Sequence, residues 1–336
     1  MKKNKKTIQK TIPYPLTLSL LFLIFALSAM LSMLFGGAAL TPAEVVEGLF
    51  GAPNNTLAAI VRGVRLPRVL AGILAGIGLS VSGLLLQSVT DNALASPNVI
   101  GVNSGAGLCV ILVLSFFPSL LPILPLAAFC GAFAATLLIL TLAKRLGGSG
   151  ATVILSGVAL TAILNAAISL ITLLDTDVVS AYNYFSIGGL SGVYLDRLPL
   201  PTVLILCSFA GAMLLSRDLE VLRLGDQAAT ALGVRVRPLR TLTLLCASAS
   251  AAAAVSFAGL LGFVGLIVPH AARALVGANV RRALPATALL GGTLVLLSDL
   301  AGRTLLSPTE IPVGILMALI GAPFFLFLLI GRNRRA

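Results

Sequence analysis

The stretch from Arg65 to Ser88 reads RLPRVLAGILAGIGLSVSGLLLQS. From Val69 onward it runs twenty residues without a charge, the length a helix needs to cross the roughly 30 Å hydrocarbon core of a bilayer. Gly72, Gly76, Ser80 and Gly83 recur on one face at helical spacing. Small residues let helix backbones approach closely where lipid offers no hydrophobic drive for association. That face either packs against a neighbour or lines a polar pathway.

The rest of the chain repeats the pattern. Of 336 residues, 58% are hydrophobic and 10% charged, and the mean hydropathy is +1.07. Soluble domains carry about 25% charged residues, so these few charges cannot cover a water-facing surface. The predicted fold is an all-α integral membrane protein, one domain over 1–336. It has about ten transmembrane helices, near 16–35, 68–88, 98–117, 121–142, 151–174, 198–215, 239–257, 259–276, 284–301 and 312–330. The first apolar run exceeds the roughly 7–15 residues of a signal-peptide core and is read as a retained span.

Ten spans place both termini on one side, and the cations identify it as cytoplasmic. That side receives Lys2, Lys3, Lys5, Lys6, Lys10, Lys144, Arg145, Arg217, Arg223, Arg235, Arg237, Arg240, Arg273, Arg281, Arg282, Arg332, Arg334 and Arg335. The other side receives only Arg62, Arg65, Arg68, Arg197 and Arg303. The net charge of +12 therefore reports topology, and no nucleic-acid partner is expected. His270 is the only histidine, and the four cysteines lack metal-ligand spacing, so no metal site is expected. No acid sits at a span centre, which argues against a proton-coupled carrier.

Three local features carry more. Thr41, Pro42 and Glu44 predict a capped helix start, followed by a short helix lying on the outer membrane surface. Asn165 and Ser169 lie one turn apart in the fifth span, facing either a pathway or another helix. The segment 216–240, SRDLEVLRLGDQAATALGVRVRPLR, is a polar island with five arginines and three acids. Asp218 is expected to cap one short helix bearing Leu219 and Leu222. Asp226 is expected to cap a second bearing Ala228, Ala229 and Leu232, closed by Gly233. Two capped helices in a connector suggest a docking surface.

Six motifs, in order, are RLPR at 65–68, SGLLLQ at 82–87, DNALASPNVIGVNSGAG at 91–107, LGDQAATALGV at 224–234, GFVGLIVPHAAR at 262–273 and SPTEIPVGILMALIGAPFF at 307–325. With them the chain resembles, from about Leu16 to Arg332, the permease subunit of the iron-siderophore and vitamin B12 ABC importers, a type II importer family. The resemblance implies that segment 216–240, with Asp218, Leu219, Gly225, Ala228, Leu232 and Gly233, receives an ATP-binding subunit. It implies that Arg65, Arg68 and Arg303 face outward to acidic residues of a substrate-binding protein. It places a cytoplasmic gate at Asn92, Leu94, Gly150 and Ala151. The spans holding Asn165 and Gly314 then line a path between two permease copies. The family's Asn-Pro-Leu-Ala reads Asn92-Ala93-Leu94-Ala95 here, and Gly150 and Ala151 are smaller than the polar gate residues of some members.

The chain has no Gly-rich Lys-Ser/Thr phosphate loop. It is therefore expected to bind no cofactor and to be no enzyme, with ATP and Mg on two partner ATP-binding subunits. The expected function is import of a ferric siderophore or related chelate across a bacterial plasma (inner) membrane. A haem or cobalamin importer permease is the near alternative, and an ion-gradient-driven carrier the distant one.

Overall fold

The computed structural model describes residues 13–333 except 38, 53–54, 99 and 147–148. Lys2 to Lys10, Arg334, Arg335 and the side chain of Arg332, which carry part of the charge asymmetry, lie outside the described residues. The helices are α1 Tyr14–Leu34, α2 Pro42–Phe50, α3 Thr56–Ile60, α4 Leu66–Val89, α5 Val102–Phe116, α6 Leu124–Arg145, α7 Gly150–Leu174, α8 Val179–Ile187, α9 Pro199–Leu222, α10 Asp226–Ala231, α11 Val236–Ala258, α12 Val264–Val276, α13 Val280–Thr304 and α14 Val313–Asn333. The chain is all-α, with no strand among the described residues. Seven helical runs are long and apolar enough to cross a membrane: α1, Thr56–Val89, Pro118–Arg145, α7, α9, α11 and α13. Shorter apolar helices at Val102–Phe116, Val264–Val276 and Val313–Phe327 occupy the remaining expected positions.

Proline in the first turn starts α6 and α9, where its missing N–H breaks no helical bond. Asn279 caps α13 by accepting from Arg282 N at 3.1 Å. The capping box at α2 forms as expected: Thr41 Oγ1 accepts from Glu44 N at 3.3 Å, and Glu44 Oε2 accepts from Thr41 N at 2.6 Å. Val46 and Phe50 stand exposed on α2, one turn apart.

Helix α4 is the centre of the molecule, packed against α13, α11, α12 and α9. Its small-residue face is a packing face. A Cβ on Gly76 would fall 2.2 Å from the Gly291 carbonyl oxygen of α13, and one on Gly83 would fall 1.9 Å from that of Gly265 in α12. Between them Ser80 Oγ donates to Thr287 O at 3.1 Å. The face thus seats two helices and leaves no room for a polar path.

The first of the two short helices expected in the polar island is not separate. Helix α9 runs unbroken to Leu222, because its buried stripe continues through Ile205, Ser208, Ala212, Ser216, Leu219 and Leu222 at the three-and-four spacing of one helix face. Asp218 is an exposed residue inside that helix and caps nothing. Leu219 is fully buried in the core.

Candidate functional site

The end of α4, the loop after it, the start of α7 and the α12–α13 turn enclose a cavity of about 890 Å³. Asn92, Leu94 and Ala151 line it, together with Gln87, Arg223 and Arg273. Asn92 Oδ1 accepts from Leu94 N at 2.9 Å, and Ala95 N donates to Asn92 O at 3.1 Å. This side-chain turn holds the loop with alanine at position 93. Gly150 stands behind the lining: a Cβ there would meet Thr90 O at 2.8 Å, so its absence lets α7 start directly against the end of α4. Ser149 caps that start, accepting from Thr152 N at 3.2 Å.

Two links that the sequence did not disclose tie this cavity to its surroundings. Gln87 donates to the carbonyls of Gly265 and Leu266 at 3.3 and 3.4 Å and accepts from Arg273 Nη2, joining α4 to both ends of α12. At the end of α9, Glu220 Oε2 accepts from Val280 N at 2.9 Å, placing a carboxylate on the N-terminus of α13, where the helix dipole favours it. Arg223 Nη1 donates to Ala278 O at 2.7 Å. Arg223, Ala278 and Val280 are themselves cavity residues. Charged residues at i and i+3 near a helix end were the available signal, but their partners lie some sixty positions away.

Beyond α9 the chain turns at Gly225, φ +98°, into the short α10. Gly225, and not Asp226, is the N-cap residue, and it supplies no side-chain bond. Asp226 sits in the first turn and pairs with Arg240 Nη2 at 2.8 Å. The other end closes as expected. Gly233, φ +86°, donates to Thr230 O, and Val234 N donates to Ala229 O, both at 3.0 Å, the paired bonds of a Schellman motif. Ala229 is buried, Ala228 half-buried, and Leu224 and Leu232 are exposed at 67% and 65%. The protruding turn therefore presents two leucines.

Arg65, Arg68 and Arg303 are all buried within the chain. Arg65 Nη1 donates to the carbonyls of Met33 and Leu34 at 2.5 and 2.8 Å, at the end of α1. Last-turn carbonyls have no partner within their own helix. Arg62 does the same for α2, reaching Gly48, Leu49 and Gly51 at 2.7 to 3.0 Å. Both arginines lie on the π-helical turn Val61–Arg65 that joins α3 to α4. Arg68 pairs with Asp299 at 3.0 Å and Glu310 at 2.9 Å, and Arg303 pairs with Asp299 at 3.0 Å. These guanidiniums find carbonyls and carboxylates within the chain. Burial raises the Glu310 pKa, but the hydrogen bond and charge of Arg68 outweigh it and hold the carboxyl below the usual range.

Asn165 and Ser169 are exposed on α7, which packs on α5 and α6 and leaves a long face uncovered. Gly314 sits where α14 meets the end of α8: a Cβ there would fall 1.7 Å from Ile187 O. Among the described residues no group of three His, Cys, Asp or Glu is placed to hold a metal ion. His270 meets the Phe324 ring edge-on at 6.1 Å.

Residues 22–331 match the FecCD transport family. The chain is 36% identical to the Fe(3+)-citrate import system permease protein YfmE of Bacillus subtilis (strain 168), covering 97% of this chain and 98% of that one. It is 38% identical to the ferric enterobactin transport system permease protein FepD of Escherichia coli (strain K12), over 94% and 95%. Against the cobalamin import system permease protein BtuC of Halobacterium salinarum the identity is 39%, over 89% and 80%. A solved chain described as an inward-facing metal-chelate type ABC transporter superposes with a TM-score of 0.83 at 32% identity, covering 94% of this chain and 99% of that one.

Proposed function

Since the chain belongs to the FecCD transport family, we infer that it is the multi-pass membrane permease of an ATP-driven importer that moves a ferric siderophore, or a related metal chelate such as haem or cobalamin, into the cytoplasm. It works with ten crossings and both termini inside. Two copies face each other across the path, with the open face of α7 and its Asn165 and Ser169 as one wall. Hydrolysis takes place on two partner ATP-binding subunits that carry the nucleotide and Mg, and a substrate-binding protein delivers the chelate from outside.

The observation that carries this reading is the connection between the protruding turn and the cavity. Leu224 and Leu232 flank α10 and stand in solvent, a fit for a groove on an ATP-binding subunit. A push there acts on the end of α9, whose Glu220 and Arg223 hold the start of α13 and the α12–α13 turn. Those residues border the Asn92, Leu94 and Ala151 cavity. Closure of the partners is thereby passed to the inner gate.

The test uses the full chain with its ATPase and binding protein in vesicles. Gly225→Glu with Leu232→Glu is expected to abolish chelate uptake while ATP hydrolysis persists or the ATPase no longer co-purifies. Undiminished uptake by that double variant rejects the coupling surface. Uptake driven by an ion gradient with no ATPase attached points instead to a secondary carrier.

A further inference from the structure

A second cleft, of about 1230 Å³, opens between the end of α6, the start of α7, helix α10 and the start of α11. It is separate from the cavity at Asn92, and its α10 wall adjoins the turn assigned above to the ATP-binding subunit. Its rim holds Lys144, Arg235, Arg237 and Arg240 against one acid, Asp226. Asp226 pairs with Arg240. Among the described residues, no ion pair engages Lys144, Arg235 or Arg237. Three positive charges therefore converge on one opening without a counter-charge. Its deeper wall is aliphatic, with Leu140 and Leu242, and Leu242 is half exposed.

The depth of these groups is set by the helices that carry them. Lys144 is in the last turn of α6, and Arg237 and Arg240 are in the first turns of α11. Both helices belong to runs long and apolar enough to span a bilayer, so their charged ends lie at the headgroup level. Leu140 and Leu242 each lie further along the same helices, towards the hydrocarbon. A cationic rim at headgroup depth above an aliphatic wall matches an amphipathic anion, phosphate outermost and chain inward. A soluble phosphate would leave the wall uncovered.

We propose that this cleft is a binding site for an anionic phospholipid, whose phosphate sits among Lys144, Arg235 and Arg237 and whose acyl chain lies along Leu140 and Leu242. The neighbouring Arg240–Asp226 pair places that headgroup directly beside α10. The proposal holds whichever chelate the chain carries.

The full chain in nanodiscs of equal phosphatidylglycerol and phosphatidylcholine, released and weighed by native mass spectrometry, tests it. The wild type is expected to retain phosphatidylglycerol in preference to phosphatidylcholine. Retention should weaken roughly fivefold for each of K144Q, R235Q and R237Q. Leu242→Trp, which fills the groove and leaves every cation in place, should also reduce it. Arg282→Gln, a cation outside the cleft, should not. Equal retention of the two lipids by the wild type, or undiminished phosphatidylglycerol on the triple glutamine variant, overturns the proposal. So does a triple variant that keeps the lipid but loses its ATPase subunit, because the rim would then be a protein contact.

Discussion

Asp299 lies between two arginines from different parts of the chain and is nearly inaccessible to solvent. Removing its charge leaves Arg68 and Arg303 facing each other in a poorly solvated site. Breaking one partner of a buried pair costs about 3–5 kcal/mol, so Asp299→Asn should lower the thermal midpoint of the purified chain markedly. A midpoint unchanged within error would mean that the pairs contribute little. Glu310, half-exposed at the rim of the same cluster, is a milder case. Its carboxyl is held below its ordinary value, so its stabilising contribution is complete above the unfolded-state pKa of about 4.3. The contribution is lost as pH falls through the lower folded-state value. The difference in thermal midpoint between wild type and Glu310→Gln should be constant near neutrality and shrink only in acid. At Gly83 the constraint is steric. A methyl there meets the Gly265 carbonyl of α12, and overpacking of this kind costs about 1–3 kcal/mol. Gly83→Ala should fall in yield and melting point, whereas Gly63→Ala, with open space around it, should match the wild type.

At the scale of single elements, the capping box of α2 and the glycine closure of α10 were both legible, since each is a contest settled within four or five residues. The boundary of α9 was not. Asp218 resembles a cap residue when read alone. It lost to a buried stripe that carries the helix through Ser216, Leu219 and Leu222, and tertiary packing of that stripe overrides the local preference. The same reasoning makes α10 the least secured helix of the polar segment, because six residues cannot hold a helix without caps. Gly233→Ala puts a Cβ on a left-handed residue, at about 1–2 kcal/mol. It should loosen the turn without unfolding the chain. Amide hydrogen exchange should rise across residues 226–234 and stay unchanged in α11. Protection lost through α11 as well would show that the two form one cooperative unit.

Across the whole molecule, α4 is the hub, α7 and α14 are lightly packed flanks, and the end of α9 is fastened to the start of α13. If that fastening transmits force, Glu220→Ala should leave expression and ATP hydrolysis intact and cut chelate uptake by about tenfold, the usual size of a coupling between sites. Uptake equal to wild type would place the transmission elsewhere. Composition alone determined that this chain lives in a membrane, because a charge fraction of 10% admits no other solvent, and the length of the apolar runs made its spans helices. Motif order alone led to the family, and spacing alone to the small-residue face of α4. Tertiary structure decided what those features touch. It gave Arg65 the carbonyls at the end of α1, Arg68 and Arg303 the carboxylate of Asp299, Gly314 a contact on Ile187, and Leu219 a place in the core. The reason is physical: periodicity fixes which side of a helix a residue occupies, but a buried charge takes its meaning from the partner within 3 Å. Here that partner is more than two hundred residues away for Arg68.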